Sequence, residues 1–210
     1  MRRLDLGRLS GRSPSSPVPR QPSGPAKRWL TGRRGQPEDP LPGAMRGLRR
    51  RTGRDLAACA RLLRVVHYES QYPVRWPESP RGWLDREVLD AWVVERVGEI
   101  LGHVAISPVG LDTVSRAHWS EMTGRDPDDL ASVAKFFVRP SLRGQGIGTA
   151  LLDVAAEESS LRGMLPVLEV VTARKEKIAL LDGQGWRLLS MDPWREEPAR
   201  LRVHCYSRPT

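Results

Sequence analysis

The residues whose types and spacing best suit chemistry run Val138-Arg139-Pro140-Ser141-Leu142-Arg143-Gly144-Gln145-Gly146-Ile147-Gly148-Thr149. An apolar run of Val133, Ala134, Phe136, Phe137 and Val138 enters this stretch, and a helical pattern leaves it from Ala150. Three glycines and Arg143 therefore stand at a strand-to-helix junction. Glycine lets the backbone turn sharply and approach a ligand closely. The first amide N–H groups of a helix lack internal partners, and the helix dipole favours an anion at that end. Arg143 adds a guanidinium fork that matches phosphate oxygens. The expected ligand is a diphosphate. A Walker loop is excluded, because it needs a lysine that is absent here. A dinucleotide loop needs Gly-x-Gly-x-x-Gly. Its third glycine falls on Thr149 or on Leu151, depending on the pair that begins it.

The elements that must position this loop follow from the patterning around it. Met45 to Arg51 reads as a first strand. Thr52 with Asp55 three residues on reads as a helix start. Leu56, Cys59, Ala60, Leu63 and Val66 then follow at helical spacing, ending near His67–Ser70. The prolines between Tyr72 and Pro80 enforce a loop, with a short helix carrying Trp83 and Leu84 after it. Ala91–Glu95 and Leu101–Ser107 read as a hairpin turning at Gly98 and Glu99. Val109–Leu130 reads as irregular and polar, and Val133–Val138 as the central strand. The helix after the loop carries Leu151, Val154, Ala155 and Leu161 and stops near Gly163. Val167–Val171 reads as a buried strand and Arg174–Asp182 as a helix. Trp186–Ser190 and Leu201–Tyr206 read as the last strands. The expected class is α/β.

With 210 residues the chain has room for one domain and a tail. Its formal net charge is +9, with a pI near 10.5, but the charge is uneven. Residues 1–43 carry nine Arg and Lys against Asp5, Glu38 and Asp39, and they hold eight prolines. Such a segment cannot bury enough apolar surface to offset its ordering entropy. It is expected to be a disordered basic leader, followed by a folded domain over 44–210. It is either dispensable or an arm for nucleic acid, and nucleic acid is expected to touch the protein only through it. No signal peptide is apparent, and no apolar run approaches the ~18 residues of a membrane span. Cys59 and Cys205 stand alone, with neither metal spacing nor a disulfide framework. A reducing cytoplasm, no membrane and no metal are the expectations.

One reading of the loop fills every position: Val-x-Pro-x-x-Arg-Gly-x-Gly-Ile-Gly, from Val138 to Gly148. It resembles the acyl-coenzyme A loop of the GNAT N-acetyltransferase superfamily. The segment Ala179-Leu180-Leu181-Asp182-Gly183-Gln184-Gly185-Trp186 is similar to the family's Ala-Leu-Tyr-Glu-x-x-Gly-Phe/Trp signature. Trp76-Pro77, and Trp119-Ser120 with Gly124, look like those of a bacterial subgroup of general acetyltransferases. The resemblance implies the GNAT acyl-CoA N-acyltransferase fold, a mixed and mostly antiparallel sheet with flanking helices. It implies acetyl-CoA as co-substrate and direct transfer of the acetyl group to an amine, on a small molecule or a protein. The alternative is a non-catalytic acyl-CoA-binding sensor or module of the same fold. Either a monomer or a homodimer is compatible with it.

Carried over residue by residue, Phe136, Phe137 and Val138 would contact the pantetheine arm and thioester. Arg143, Gly144, Gln145, Gly146, Ile147, Gly148 and Thr149 would hold the diphosphate. A backbone N–H near Val138 would face the thioester oxygen as an oxyanion donor. Leu181 stands where the family often has the tyrosine that protonates the departing thiolate. With a thiol pKa near 8.5, releasing thiolate at pH 7 costs about 2 kcal/mol, a modest penalty. An alkylammonium with pKa near 10.4 needs a base more. The central strand offers Lys135 and no carboxylate, so the candidate bases are Glu69, His103, Glu121 and Glu169, with His67 and His118 behind them. His204 reads as packing. Tyr72, Trp76, Trp83 and Trp119 either line an acceptor pocket or cap the core.

Overall fold

The alternation of apolar strands with amphipathic helices resolves into one seven-stranded sheet with helices on both faces. A computed structural model describes residues 46–111, 114–171, 175–193 and 201–209. The leader expected over 1–43, Met45 and Arg174 lie outside these residues. The elements are β1 (Leu48–Arg50), α1 (Leu56–Ser70), α2 (Pro80–Asp85), β2 (Asp90–Arg96), β3 (Glu99–Pro108), α3 (Arg116–Thr123) and β4 (Leu130–Val138). They continue with α4 (Ile147–Leu161), β5 (Leu165–Val171), α5 (Lys175–Gly183), β6 (Arg187–Pro193) and β7 (Arg202–Ser207). The strand order is β1-β2-β3-β4-β5-β7-β6, and among the described residues only the β4–β5 pair is parallel.

Three apolar groups hold the layers together. On one face Leu151, Leu152 and Ala155 of α4 pack over Val104, Ile106, Val133, Leu168 and Tyr206. On the other, Cys59, Leu62, Leu63 and Val66 of α1, with Leu84 of α2, cover Val93, Ile100 and Phe137. A third group places Trp119 of α3 over Leu130, Val167, Val203 and Cys205. Helix α3 corrects the expectation of an irregular 109–130 segment. Ser115 caps it, its Oγ accepting from His118 N at 3.3 Å, and Gly124 ends it at φ +67°. Trp119 is the one buried residue along its length, so no 3.6-residue apolar stripe announced it. The β2–β3 hairpin also turns one residue earlier than expected, at Val97 and Gly98, both at positive φ.

The Thr52–Asp55 signal caps a 3₁₀ turn, Gly53–Asp55, that feeds α1. Asp55 accepts from Thr52 N at 2.7 Å and from the Thr52 hydroxyl at 3.0 Å, and takes both Arg49 terminal nitrogens at 2.8 Å. The Arg49 hydrogen bonds hold the Asp55 carboxyl well below the usual aspartate range. The depressed carboxylate contributes stability that is fully present above the ordinary pKa near 3.8 and drains away as pH falls below it. Asp55→Asn is expected to cost about 1–2 kcal/mol at neutral pH, through the lost cap and charged bonds. In urea titrations the gap to wild type should close as pH is lowered through 4 towards 2. A gap that stays constant over that range contradicts this account.

Two features of β4 shape the site. First, it pairs with β5 only over Leu130–Ser132, opposite Leu165–Val167. From Val133 onward no ladder pair joins the two strands, and this unpaired stretch forms a notch in the hydrogen bonding of the sheet. Second, β4 carries a bulge. Ala134 sits opposite Ala105 and Phe137 opposite His103, so Lys135 and Phe136 share Val104, and Lys135 takes φ +52°. Side chains alternate along a strand, so one inserted residue exchanges the faces of everything beyond it. Because of the bulge, Phe136 and Val138 pack with the α4 side, while Phe137 packs with α1 and α2.

Candidate active site

The glycine loop is built as a strand-to-helix junction. After β4 the chain makes a 3₁₀ turn, Pro140–Leu142, then passes Gly144 at φ +76° and Gly146 at φ +78° into α4. A side chain at either glycine would strain the left-handed backbone. The first bond of the helix runs from Ala150 N to Gly146 O at 3.0 Å. Among the described residues, the amides of Gly144, Gln145, Gly146, Ile147, Gly148 and Thr149 find no backbone acceptor. Gly144 and Gln145 are exposed, while Ile147, 1% exposed, anchors the turn in the core. A Cβ on Gly148 would lie 3.3 Å from Phe136 Cζ and 3.6 Å from Leu180 Cδ2, so any side chain there would crowd the Phe136 ring. The exposed Arg143 donates from a terminal nitrogen to Ser70 Oγ at 3.2 Å, which tethers the loop to the end of α1. Unpartnered amides at a helix start, beside a guanidinium, fit a phosphate-bearing ligand.

The notch begins where the β4–β5 ladder stops, and the loop lies at the far end of β4. Phe137 is 3% exposed and Val138 9%, while Phe136 packs partly buried near Gly148. Around Phe137 the structure gathers three of the four expected pocket aromatics. Tyr72 stands 6.4 Å from Phe137 and 6.3 Å from Trp83, ring centre to ring centre. Trp76 packs against the same group and tilts over His67 at 5.1 Å. Trp119 does not join them. It is fully buried under α3, where its indole fills the core between Leu130 and Val167.

The expected bases are not brought together. Glu69 is exposed near the end of α1. Glu121 is exposed on α3, 3.4 Å from His118. His103 is wholly buried, and burial pushes its pKa down to about 3, with the charges of Arg51 and Lys135 adding to the effect against a hydrogen bond that opposes it. So weak a base takes no proton from an ammonium. Glu169 stands on β5, two residues beyond the last rung of the β4–β5 ladder, and accepts from Val114 N at 3.2 Å. Leu181 is 3% exposed and packs in the main core. Burial pushes both Cys59 and Cys205 up to about 12, which leaves no thiolate nucleophile at neutral pH.

Two polar groups were not legible in the sequence. Arg51, His103 and Lys135 converge behind the β4 bulge from positions 52 and 32 residues apart. His118 Nε2 lies 3.2 Å from Asp192 Oδ2, which also accepts from Ser190 Oγ at 2.6 Å. Neither carries a spacing motif, because each is assembled across strands. Among the described residues, no group of three or more His, Cys, Asp or Glu is placed to hold a metal ion, and no helix is long and apolar enough to cross a membrane.

The model of the acetyltransferase (GNAT) family matches residues 56–186. No curated protein sequence matches the chain. Among solved structures, the ribosomal-protein-alanine N-acetyltransferase of Brucella melitensis superposes with a TM-score of 0.60 at 20% identity, over 78% of this chain and 99% of its own. Salmonella typhimurium yncA, solved with its cofactor acetyl-CoA, gives 0.56 at 16% identity over 76% and 91%. Ard1 of Thermoplasma volcanium gives 0.55 at 18% identity over 78% and 97%. At these identities the likeness is one of fold.

Proposed function

The chain belongs to the GNAT acetyltransferase family and is an acetyl-CoA-dependent N-acetyltransferase, and from that premise we propose how its residues divide the work. The diphosphate of the coenzyme lies on the amides of Gly144 to Thr149, with Arg143 beside it. The pantetheine arm runs along the free edge of β4 past Phe136, Phe137 and Val138. A main-chain N–H near Val138 receives the negative charge that develops on the thioester oxygen when the amine attacks. The amine nitrogen bonds to the acetyl carbon, the C–S bond breaks, and the thiolate leaves with a proton from solvent. Holding both reactants in line supplies much of the acceleration. The observation that carries this reading is the end of β4–β5 pairing at Ser132, upstream of a loop whose amides find no backbone acceptor among the described residues.

Of the candidate bases, only Glu169 stands on a strand that borders the notch. We assign it the proton of the attacking amine, taken directly or through one water. The amine enters from the side of Tyr72, Trp76 and Trp83, and it belongs to a protein chain terminus. Favouring that choice, the Brucella enzyme named above acts on a ribosomal-protein alanine. A reducing cytoplasm suits the two unpaired thiols, Cys59 and Cys205.

Thiol release from acetyl-CoA, followed over a panel of peptides, polyamines and amino acids, tests this. A peptide α-amine has a pKa near 8, so kcat/KM should rise with pH and level off around 8. A lysine-like amine would keep rising towards 10. Glu169→Gln should lower kcat by about 100-fold with acetyl-CoA affinity retained. Turnover with free polyamines alone would overturn the acceptor assignment, and an unimpaired Glu169→Gln would overturn the base.

A further inference from the structure

We propose that His103 is a positioning residue: its ring N–H holds the Lys135 carbonyl and thereby fixes the β4 bulge that presents the next main-chain groups to the notch. The role rests on the acetyl-transfer reading above.

His103 lies on β3 opposite Phe137 and stacks on its ring, centre to centre 5.1 Å and 15° from parallel. Its Nδ1 is 2.8 Å from Lys135 O. A carbonyl oxygen only accepts, so Nδ1 carries the hydrogen and Nε2 the lone pair. An Arg51 terminal nitrogen, 3.4 Å from Nε2, faces that lone pair. The same nitrogen donates to Leu84 O at 2.7 Å, and its twin to Asp85 Oδ1 at 2.6 Å. Lys135 Nζ donates to Arg86 O at 2.6 Å and sits 5.9 Å from the centre of the Trp83 ring. The bulge is thus gripped by its carbonyl from β3 and by its side chain from α2.

The bulge needs that grip. Lys135 at φ +52° pays the left-handed penalty of about 1–2 kcal/mol without being glycine. Pairing with β5 ends at Ser132, so no ladder pins the strand from that side. A slip by one residue would exchange the faces of Phe136, Phe137 and Val138 and turn the Val138 amide away from the thioester oxygen. Misplacement by an ångström costs about 100-fold in rate. The buried imidazole opposes the slip without titrating, because it is neutral throughout the working range of the enzyme.

Three substitutions separate this role from that of a base. The Asn amide nitrogen occupies the place of His Nδ1, the Gln amide nitrogen that of Nε2, and Leu fills the space with no donor. Expected are kcat values about 30-fold or more below wild type for His103→Gln and His103→Leu, and within about fivefold for His103→Asn. Affinity for ADP, whose diphosphate reaches only the loop, should stay within about threefold in all three, which also reports intact folding. The kcat/KM profile of His103→Asn should overlay that of wild type from pH 6 to 9. In the nitrogen-15 spectrum of the wild-type protein at pH 7, the His103 ring should be the neutral Nδ1–H tautomer.

His103→Asn as slow as His103→Gln overturns the role, as does loss of the acidic limb of the profile in His103→Asn, which marks a base. An Nε2–H tautomer in the wild type overturns it with no reference to turnover. Wild type that releases thiol beside an equally fast His103→Leu sinks this role alone. Wild type that releases none on any amine sinks the function reading and this role with it.

Discussion

Gly146→Asp is expected to abolish acetyl-CoA binding while leaving the fold in place. Gly146 is the N-cap of α4 at φ +78° and ψ −4°. Aspartate enters the left-handed region more readily than most residues, so the backbone penalty is about 1 kcal/mol. A carboxylate at that point also satisfies helix N–H groups, which offsets part of the penalty. The same two properties destroy the site. The carboxylate occupies the amides that a diphosphate would use, and it sets a negative charge against the ligand's own. Two like charges 4 Å apart near a protein surface repel by about 4 kcal/mol. Dissociation constants by calorimetry should therefore rise at least ~100-fold, while the melting temperature shifts by only a few degrees. Gly146→Ala isolates the backbone strain and should weaken binding far less. Undiminished heat of binding in Gly146→Asp would place the coenzyme somewhere other than this loop.

Trp119→Ala is expected to be the most destabilising single truncation, at about 3–5 kcal/mol. The indole is fully buried beneath α3, against Leu130, Val167, Val203 and Cys205. Its removal leaves a cavity that strands β4, β5 and β7 cannot collapse to fill. Trp119 Nε1 finds no hydrogen-bond acceptor among the described residues. Trp119→Phe removes that orphan donor along with some volume, so it should cost markedly less than the alanine change. Urea unfolding of the two variants checks the order. For Trp119→Ala that remains folded, acetyl-CoA affinity should stay within about threefold of wild type. Unchanged stability together with a selective loss of acceptor affinity would return Trp119 to the pocket that the sequence suggested.

The glycine-rich junction proposed to hold the coenzyme was legible as a strand-to-helix turn because its signals are local. The whole turn is written in consecutive residues, from Val138 to Thr149, with a strand before it and a helix after it. Helix α4 was legible for the same reason, its apolar positions recurring at helical spacing. Helix α3 was not, since it buries one large side chain in a span that otherwise reads as polar. Among the aromatics, Tyr72, Trp76 and Trp83 look no different in sequence from Trp119. Burial against one cluster or another separates them, and burial is a property of the packed sheet. His103 read as a candidate base because residue type alone sets its pKa near 6.5. Its depressed value comes from complete burial in a position opposite Phe137, which depends on strand register.

By itself, then, the chain order determined the α/β class, the strand and helix on either side of the loop, and the glycine-rich turn between them, since each of these depends on residues near one another in sequence. Tertiary structure alone decided where the β4–β5 ladder stops, where the bulge at Lys135 resets the faces of Phe136 to Val138, and which polar groups meet behind it. Those outcomes turn on pairing between strands tens of residues apart. A slip of one residue reverses every face, and no local pattern records which register wins.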